Sequence, residues 1–456
     1  MTLTEPTPVV RDVPTTPMDA PTDTTPTDTT PDTTATAGSP RRRNLALFAL
    51  ALGGFGVGAN EFVSMGLLPG IAHSLLPGLM ASDPDVGIAT AGHAISAYAI
   101  GVAVGAPILA VLATKFSRTK LIVVLAAILA VGALASASMP TFDLTVGARF
   151  FAGLPHGAYF GVASLIAGWL MGPGNQGKGI ALAMSGLSVA NLAGVPVFTA
   201  VGQMFGWRIV YVLVAVVFVI AIALLAYALP RQEKPRGVRL TDELRALRRV
   251  QLWAVLAIIA VGFAGSFAVF SYIADITEQV AGASSSFVPL VLAAAGAGML
   301  VGNIVGGFAV DKSLFTTVIA GFALYIVAIA AFNVTSSSAI GLIATFAVMN
   351  AAQQILGPAM QSWLMRISGR SEVLGASIHH AAFNLANALG ALAGGTVIAA
   401  GWGMRAPAVL GLVLATAGMV MTLVVLGLLR ARASRRRLLF AVTPLETVER
   451  TDADLS

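Results

Sequence analysis

About twelve apolar runs, each long enough to cross a bilayer, follow one another from Asn44 to about Leu429. That succession dictates an all-α integral membrane protein. The Lys and Arg residues between runs fall almost wholly on one side. They occur at Arg41–Arg42–Arg43, at Lys115/Arg118/Lys120, at Lys178, from Arg231 to Arg249, at Lys312, at Arg366/Arg370 and from Arg430 to Arg437. The alternate connections hold little beyond Arg208 and Arg405. By the positive-inside rule both termini are expected in the cytoplasm of a cell whose plasma (inner) membrane the chain spans many times.

Composition agrees, with 57% hydrophobic and 11% charged residues and a mean hydropathy of +0.85. The pI near 9.9 does not call for nucleic acid, because the basic residues flank helix ends where anionic headgroups lie. There is no Cys, which excludes disulfides and thiolate metal sites. Residues 1–43 are mostly Thr/Pro/Asp low-complexity sequence, read as a disordered cytoplasmic tail and not a signal peptide.

The runs divide at the charged segment 231–250, giving one six-helix bundle over 44–230, another over 251–430, and a second tail over 431–456. Gly101, Gly105, Ala110, Thr114 and Lys115 align with Gly298, Gly302, Gly307, Asp311 and Lys312 at a constant offset of 197. Two pseudo-symmetric bundles would put the substrate site between them and suit alternating access. Small residues four apart, as in Gly298/Gly302/Gly306 and Gly186/Ala190/Gly194, let helix backbones approach closely.

Charges inside the bilayer cost roughly 2.5–3.5 kcal/mol each and need a reason. Glu61 shares a face of the first span with Gly54, Gly58 and Met65, and that face looks inward. Arg149 shares a face of the fourth span with Gly153, His156 and Gly157. Counted from Pro69 and Pro140, both sit roughly 12–14 Å deep, a depth that allows a Glu61–Arg149 pair. Glu61 reads either as a proton-binding carboxylate or as half of a permanent ion pair. Asp275 ends the seventh span and reads as a mouth residue or a second coupling site. Candidate substrate-binding residues are Asn60, Met65, His156, Asn191, Asn350, Gln353, Gln354, His380 and Asn384. The eleventh-span face Ser377/His380/Asn384/Asn387 either lines the cavity or bonds between helices. No paired metal spacing occurs, and no cofactor is expected.

With these residues in view, the chain resembles the major facilitator superfamily, and within it the twelve-span drug:proton antiporters. The segment NEFVSMGLLPGIA is similar to the TEFVxMGLLPxIA of the arabinose-efflux-like and chloramphenicol-efflux-like permeases. ARFFAGLPHGAYFGVAS (148–164) and AAFNLANALGALAGG (381–395) resemble the same branch's fourth and eleventh spans. SVANLAGVPVFTAVGQMFGWR (188–208) resembles the fifth-span antiporter signature, with Gly194 and Pro196 supplying its kink across an intervening Val195. The resemblance implies proton coupling at Arg149. It also implies a conformational loop motif, here Lys115 and Arg118 in one half and Gly307, Asp311 and Lys312 in the other. The first-half loop lacks the usual acid.

The expectation is a monomeric secondary transporter that exchanges protons for a small amphiphilic molecule or drug. A sugar or metabolite exporter of the same superfamily, an importer, and a non-transporting sensor are the alternatives. No HExxH, GxSxG or P-loop points to an enzyme or an ATP-driven pump.

Overall fold

A computed structural model describes residues 39–113, 116–172, 174–230, 249–368 and 372–442. Twelve helices among the described residues are long and apolar enough to span a membrane. They are α1 (Pro40–Gly66), α2 (Pro84–Leu109), α3 (Arg118–Ser138), α4 (Phe142–Met171), α5 (Gln176–Phe205), α6 (Trp207–Ala228), α7 (Val250–Ser271), α8 (Ser285–Lys312), α9 (Leu314–Thr335), α10 (Ala339–Ile367), α11 (Ile378–Trp402) and α12 (Ala406–Ala431). Helix α1 begins four residues before the expected edge of the tail, with Pro40 in its first turn, where a missing N–H costs nothing. The helix that contains α12 continues to Val442, beyond the expected start of the second tail.

The spans form two pseudo-symmetric six-helix bundles. In the first, α1 packs on α5 and α6, α3 on α4 and α6, and α4 on α2 and α5. In the second, α7 packs on α11 and α12, α9 on α10 and α12, and α10 on α8 and α11, the same pairs six spans later. The bundles meet along α2 with α11 and α5 with α8, two seams that exchange under the same relation.

Glycines set these contacts. A Cβ on Gly101 or Gly105 of α2 would strike the carbonyl oxygens of Phe150 or Leu154 on α4. A Cβ on Gly298 or Gly302 of α8 would strike those of Ala347 or Ala351 on α10. Both partners obey the offset of 197, so the repeat read in the sequence is a repeat of backbone approach. Likewise the Gly54/Gly58 face of α1 meets Ala183, Leu187 and Ala190 of α5, while Gly186 of α5 lies against Ala51.

Several spans are interrupted where the site needs them to turn. In α5 the segment Ala190–Gly194 is a π-helical turn, and the Val195 N–H reaches back five residues to the Ala190 oxygen. It precedes Pro196, whose ring cannot continue an ordinary ladder. Helix α4 breaks at Leu154–Pro155, and α2 turns at Gly92. After α7, a short turn Ile273–Asp275 runs into a π-helical turn Ile276–Val280.

Contacts between the bundles close in at the end opposite the basic clusters. Gly92 of α2 lies against the Tyr272 hydroxyl, Gly66 of α1 against Leu292 of α8, and the Gln203 amide of α5 donates to the Ser285 oxygen of α8 at 2.9 Å. That end is closed.

Candidate functional site

A buried polar cluster joins α1, α2, α4, α6 and α11 at the junction of the bundles. Glycine packing of α1 against α5 turns Asn60 and Glu61 inward, and Glu61 is 3% exposed. Arg149 of α4 is 1% exposed. Its Nη1 donates to the Asn60 backbone oxygen at 2.9 Å and to Asn60 Oδ1 at 3.0 Å. Its guanidinium lies 4.3 Å from the Tyr98 ring centre and 5.3 Å from that of Tyr211, so two aromatic faces sandwich the cation. Tyr211 is fixed in turn by a 2.7 Å bond between its hydroxyl and Ser64.

Glu61 has different neighbours. Asn387 Nδ2, from α11 in the other bundle, donates to Oε1 at 3.1 Å. His156 Nδ1 stands 3.8 Å from Oε2 and 3.1 Å from the Tyr98 hydroxyl. The depth argument that allowed a Glu61–Arg149 pair is therefore corrected in its partner. The two reach the same level, but successive residues of a helix point about 100° apart. The neighbour Asn60 faces Arg149, and Glu61 faces His156 and the second bundle. Among the described residues Glu61 has no Lys or Arg at ion-pair distance.

Around this cluster, His380 stacks on Phe160 across the interface, with ring centres 5.6 Å apart and planes 12° apart, and lies 6.5 Å from His156. The α11 face is polar as read. The Asn384 amide donates to the His380 oxygen, and the Asn350 amide of α10 to the Phe346 oxygen. Asn350 Oδ1, Gln353 Nε2, Asn384 Oδ1, Asn387 Oδ1 and His379 Nδ1 are buried without a hydrogen-bond partner. Such atoms cost about 1–3 kcal/mol each unless something meets them.

The remaining expected residues fall apart from the cluster. Met65 is fully buried among apolar side chains, and Phe62 beside it packs on Phe270 at 5.7 Å, so both are core. Asn191 lies in the π-helical turn of α5, its carbonyl against Gly296 of α8, and Gln354 is half-buried. Gly194 and Pro196 are buried at the kink. Asp275 is not a solvated mouth residue but is 3% exposed. Asp311 and Lys312 lie exposed at the basic end with Gly307 and Arg118 partly covered, while Lys115 falls outside the described residues. No group of three or more potential metal ligands occurs among the described residues. Tyr98 and Tyr211, which sandwich Arg149, were not singled out in the sequence. Tyr98 offered one signal, an aromatic on the glycine-lined α2, and Tyr211 on the glycine-free α6 offered none.

Comparison with known proteins matches residues 50–315 to the model of the Major Facilitator Superfamily. The inner membrane transport protein YdhP of Escherichia coli O157:H7 is 35% identical over 82% of this chain and 93% of its own length. The putative transporter AraJ of E. coli K12 is 32% identical over 78% and 88%. The chloramphenicol resistance protein of Streptomyces lividans is 29% identical over 78% and 89%. Among solved structures, an inward-facing bacterial homologue of the lysosomal transporter Spinster superposes with a TM-score of 0.68 at 16% identity, covering 85% of this chain and 98% of that one. A D-xylose–proton symporter does so with 0.67 at 16%, covering 83% and 97%.

Proposed function

This chain belongs to the Major Facilitator Superfamily, and from that premise we propose that it is a proton-coupled exporter of a small amphiphilic molecule, with Glu61 as the proton carrier. It is a multi-pass membrane transporter of a small-molecule substrate and not an enzyme. The observation that carries the coupling proposal is the placement of Glu61. It is buried at the interface, no Lys or Arg among the described residues lies at ion-pair distance, and it is held by an amide from the opposite bundle. A carboxyl that is buried in one state and reached by water in another binds its proton with different affinity in the two. Rocking of the bundles separates Asn387 from Glu61, so the same motion that exposes the substrate site changes the proton affinity of Glu61.

Arg149 serves as the fixed positive centre. Its charge is spread over two ring faces and one backbone carbonyl, and it steadies Asn60 beside the titrating acid. The basic end faces the cytoplasm under the positive-inside rule, with both termini there, so the closed end faces outward. The protein in this state awaits cargo from inside. The loop motif (Lys115, Arg118, Gly307, Asp311, Lys312) would steer this motion at the cytoplasmic end, and the Gly194–Pro196 kink would bend α5 beside the α8 seam. The chain works as a monomer, since its two bundles already supply both sides of the site.

A neutral metabolite such as a sugar is the second reading, favoured by Asn350 Oδ1, Gln353 Nε2 and Asn384 Oδ1 of the second bundle, which have no hydrogen-bond partner among the described residues. Everted vesicles with an acidic interior and a pH-sensitive dye test both readings. Chloramphenicol-like compounds, pentoses and lipophilic cations are added in turn. Solute-dependent proton release that vanishes in Glu61→Gln supports coupled export, and the active solute separates the two classes. Release that persists in the variant refutes the role of Glu61.

A further inference from the structure

A second acid is buried at the closed end, far along α7 from the central cluster. Asp275 is 3% exposed, and its Oδ2 has no hydrogen-bond partner. The turn Ile273–Asp275 packs against α1 and the short helix Leu68–Leu75, both belonging to the first bundle. The segment that carries this second-bundle carboxyl is thus packed in part against the other bundle. Beside it, the Tyr272 hydroxyl donates to the Ala391 oxygen at 2.7 Å and is wedged between Gly92 of α2 and Gly395 of α11, neither of which has room for a Cβ. Separating the bundles here would withdraw the wedge and bring Asp275 into water.

A route for protons adjoins it. A cavity of about 670 Å³ opens at this end, lined by His73, Gln203, Arg208, Ser285 and, three residues after Asp275, Glu278. The titratable and charged groups that act on Asp275 are Glu278 on its own segment, Asp85 at the start of α2 and Tyr272 beside it, while His73 on the short helix acts on Glu278 and Arg208 lines the same cavity as Glu278. Burial first, then the negative charge of Glu278, with Asp85 adding to it, push the Asp275 carboxyl above its usual range against a backbone hydrogen bond. Burial also raises Glu278, opposed by His73.

We propose that Asp275 is a proton site in its own right: it exchanges its proton with the cavity by way of Glu278, and only the neutral carboxylic acid is buried between the bundles, so that this proton holds the closed end shut. The transfer is a carboxyl-to-carboxyl relay through water, with no other chemistry. Acid at this face favours closure and alkali favours opening. A carboxyl whose proton affinity is higher in the closed state stabilises that state below its open-state pKa, and the stabilisation is lost as pH rises through the closed-state value. Which compartment supplies the proton rests on the export reading; the pH-sensitive closure does not.

The absence of cysteine makes the test clean. Ala89→Cys places a single thiol on the closed seam, where Ala89 of α2 is buried beside Gly395 of α11, and its labelling rate by a membrane-impermeant maleimide is normalised to that of a thiol at exposed Ser286. Between about pH 5.5 and about pH 8.5 the normalised rate rises several-fold in the otherwise native protein. Adding Asp275→Asn makes it low and flat, while Asp275→Glu, which keeps a titrating group and shows that the site tolerates change, restores the rise. A flat native profile, or an undiminished rise in Asp275→Asn, overturns the proposal. In Glu61→Gln the rise persists even though solute-driven proton release is lost, which separates this site from the central one.

Discussion

Asn387 donates to Glu61 Oε1 at 3.1 Å, and that bond ties α11 of one bundle to α1 of the other across 326 residues of sequence. It is a polar link whose strength depends on charge. A hydrogen bond to an ionised group contributes about 1.5–3 kcal/mol, and one to a neutral group about half that. Protonation of Glu61 therefore loosens the contact between bundles at the level where they must part.

Removing the donor should uncouple the two events. Asn387→Leu is expected to lower solute-driven proton flux at least about tenfold, matching the loss of one charge-assisted bond. Substrate exchange without a gradient should fall far less. Side-by-side flux and exchange assays check this, and an equal loss of both would make Asn387 a mere packing residue.

Arg149→Lys keeps the charge but loses the planar guanidinium whose Nη1 bonds Asn60 twice while its plane lies near the Tyr98 and Tyr211 rings. A compact ammonium cannot do both. The variant should fold and reach the membrane, with the unfolding midpoint lowered by a change of about 1–3 kcal/mol and coupled transport largely lost. Native-like transport in Arg149→Lys would show that charge alone suffices.

Backbone approach predicts a contrast between two glycines of α8. Gly298→Val drives a side chain into the Ala347 carbonyl and should cost about 1–3 kcal/mol or prevent assembly. At Gly307 nothing lies within 4 Å of an added Cβ, so Gly307→Ala should change stability by less than about 0.5 kcal/mol. Thermal unfolding followed by size-exclusion chromatography reads both.

At the closed end, Glu278→Gln removes a negative charge that raises Asp275. Less repulsion lowers the pH at which Asp275 gives up its proton. The pH midpoint of seam labelling should shift downward, and a shift upward or none would show that Glu278 does not act on Asp275.

The sequence made the architecture plain because bilayer thickness fixes span length and glycines fix helix approach. The offset of 197 paired Gly101 with Gly298, and the structure adds that their partners Phe150 and Ala347 keep the same offset. The site was legible in its residue types but not in its pairings. Helix phase placed Asn387 with His380 and Asn384 on one face, yet its partner lies in the other bundle, which no local pattern encodes. Equal depth suggested Glu61 with Arg149, whereas a rotation of about 100° handed Arg149 to Asn60. Asp275 could be read as a mouth residue or a coupling site because spans usually end in water. The short helix Leu68–Leu75 folds back over that end and buries it.

The most direct test of the account compares two modes of transport in Glu61→Gln. Everted vesicles carrying the variant are loaded with the solute identified for the native protein, and labelled solute is added with and without a proton gradient. The account predicts that solute-for-solute exchange continues while gradient-driven accumulation disappears, because the carrier still rocks but no longer carries a proton. Accumulation at the native level in Glu61→Gln would contradict it.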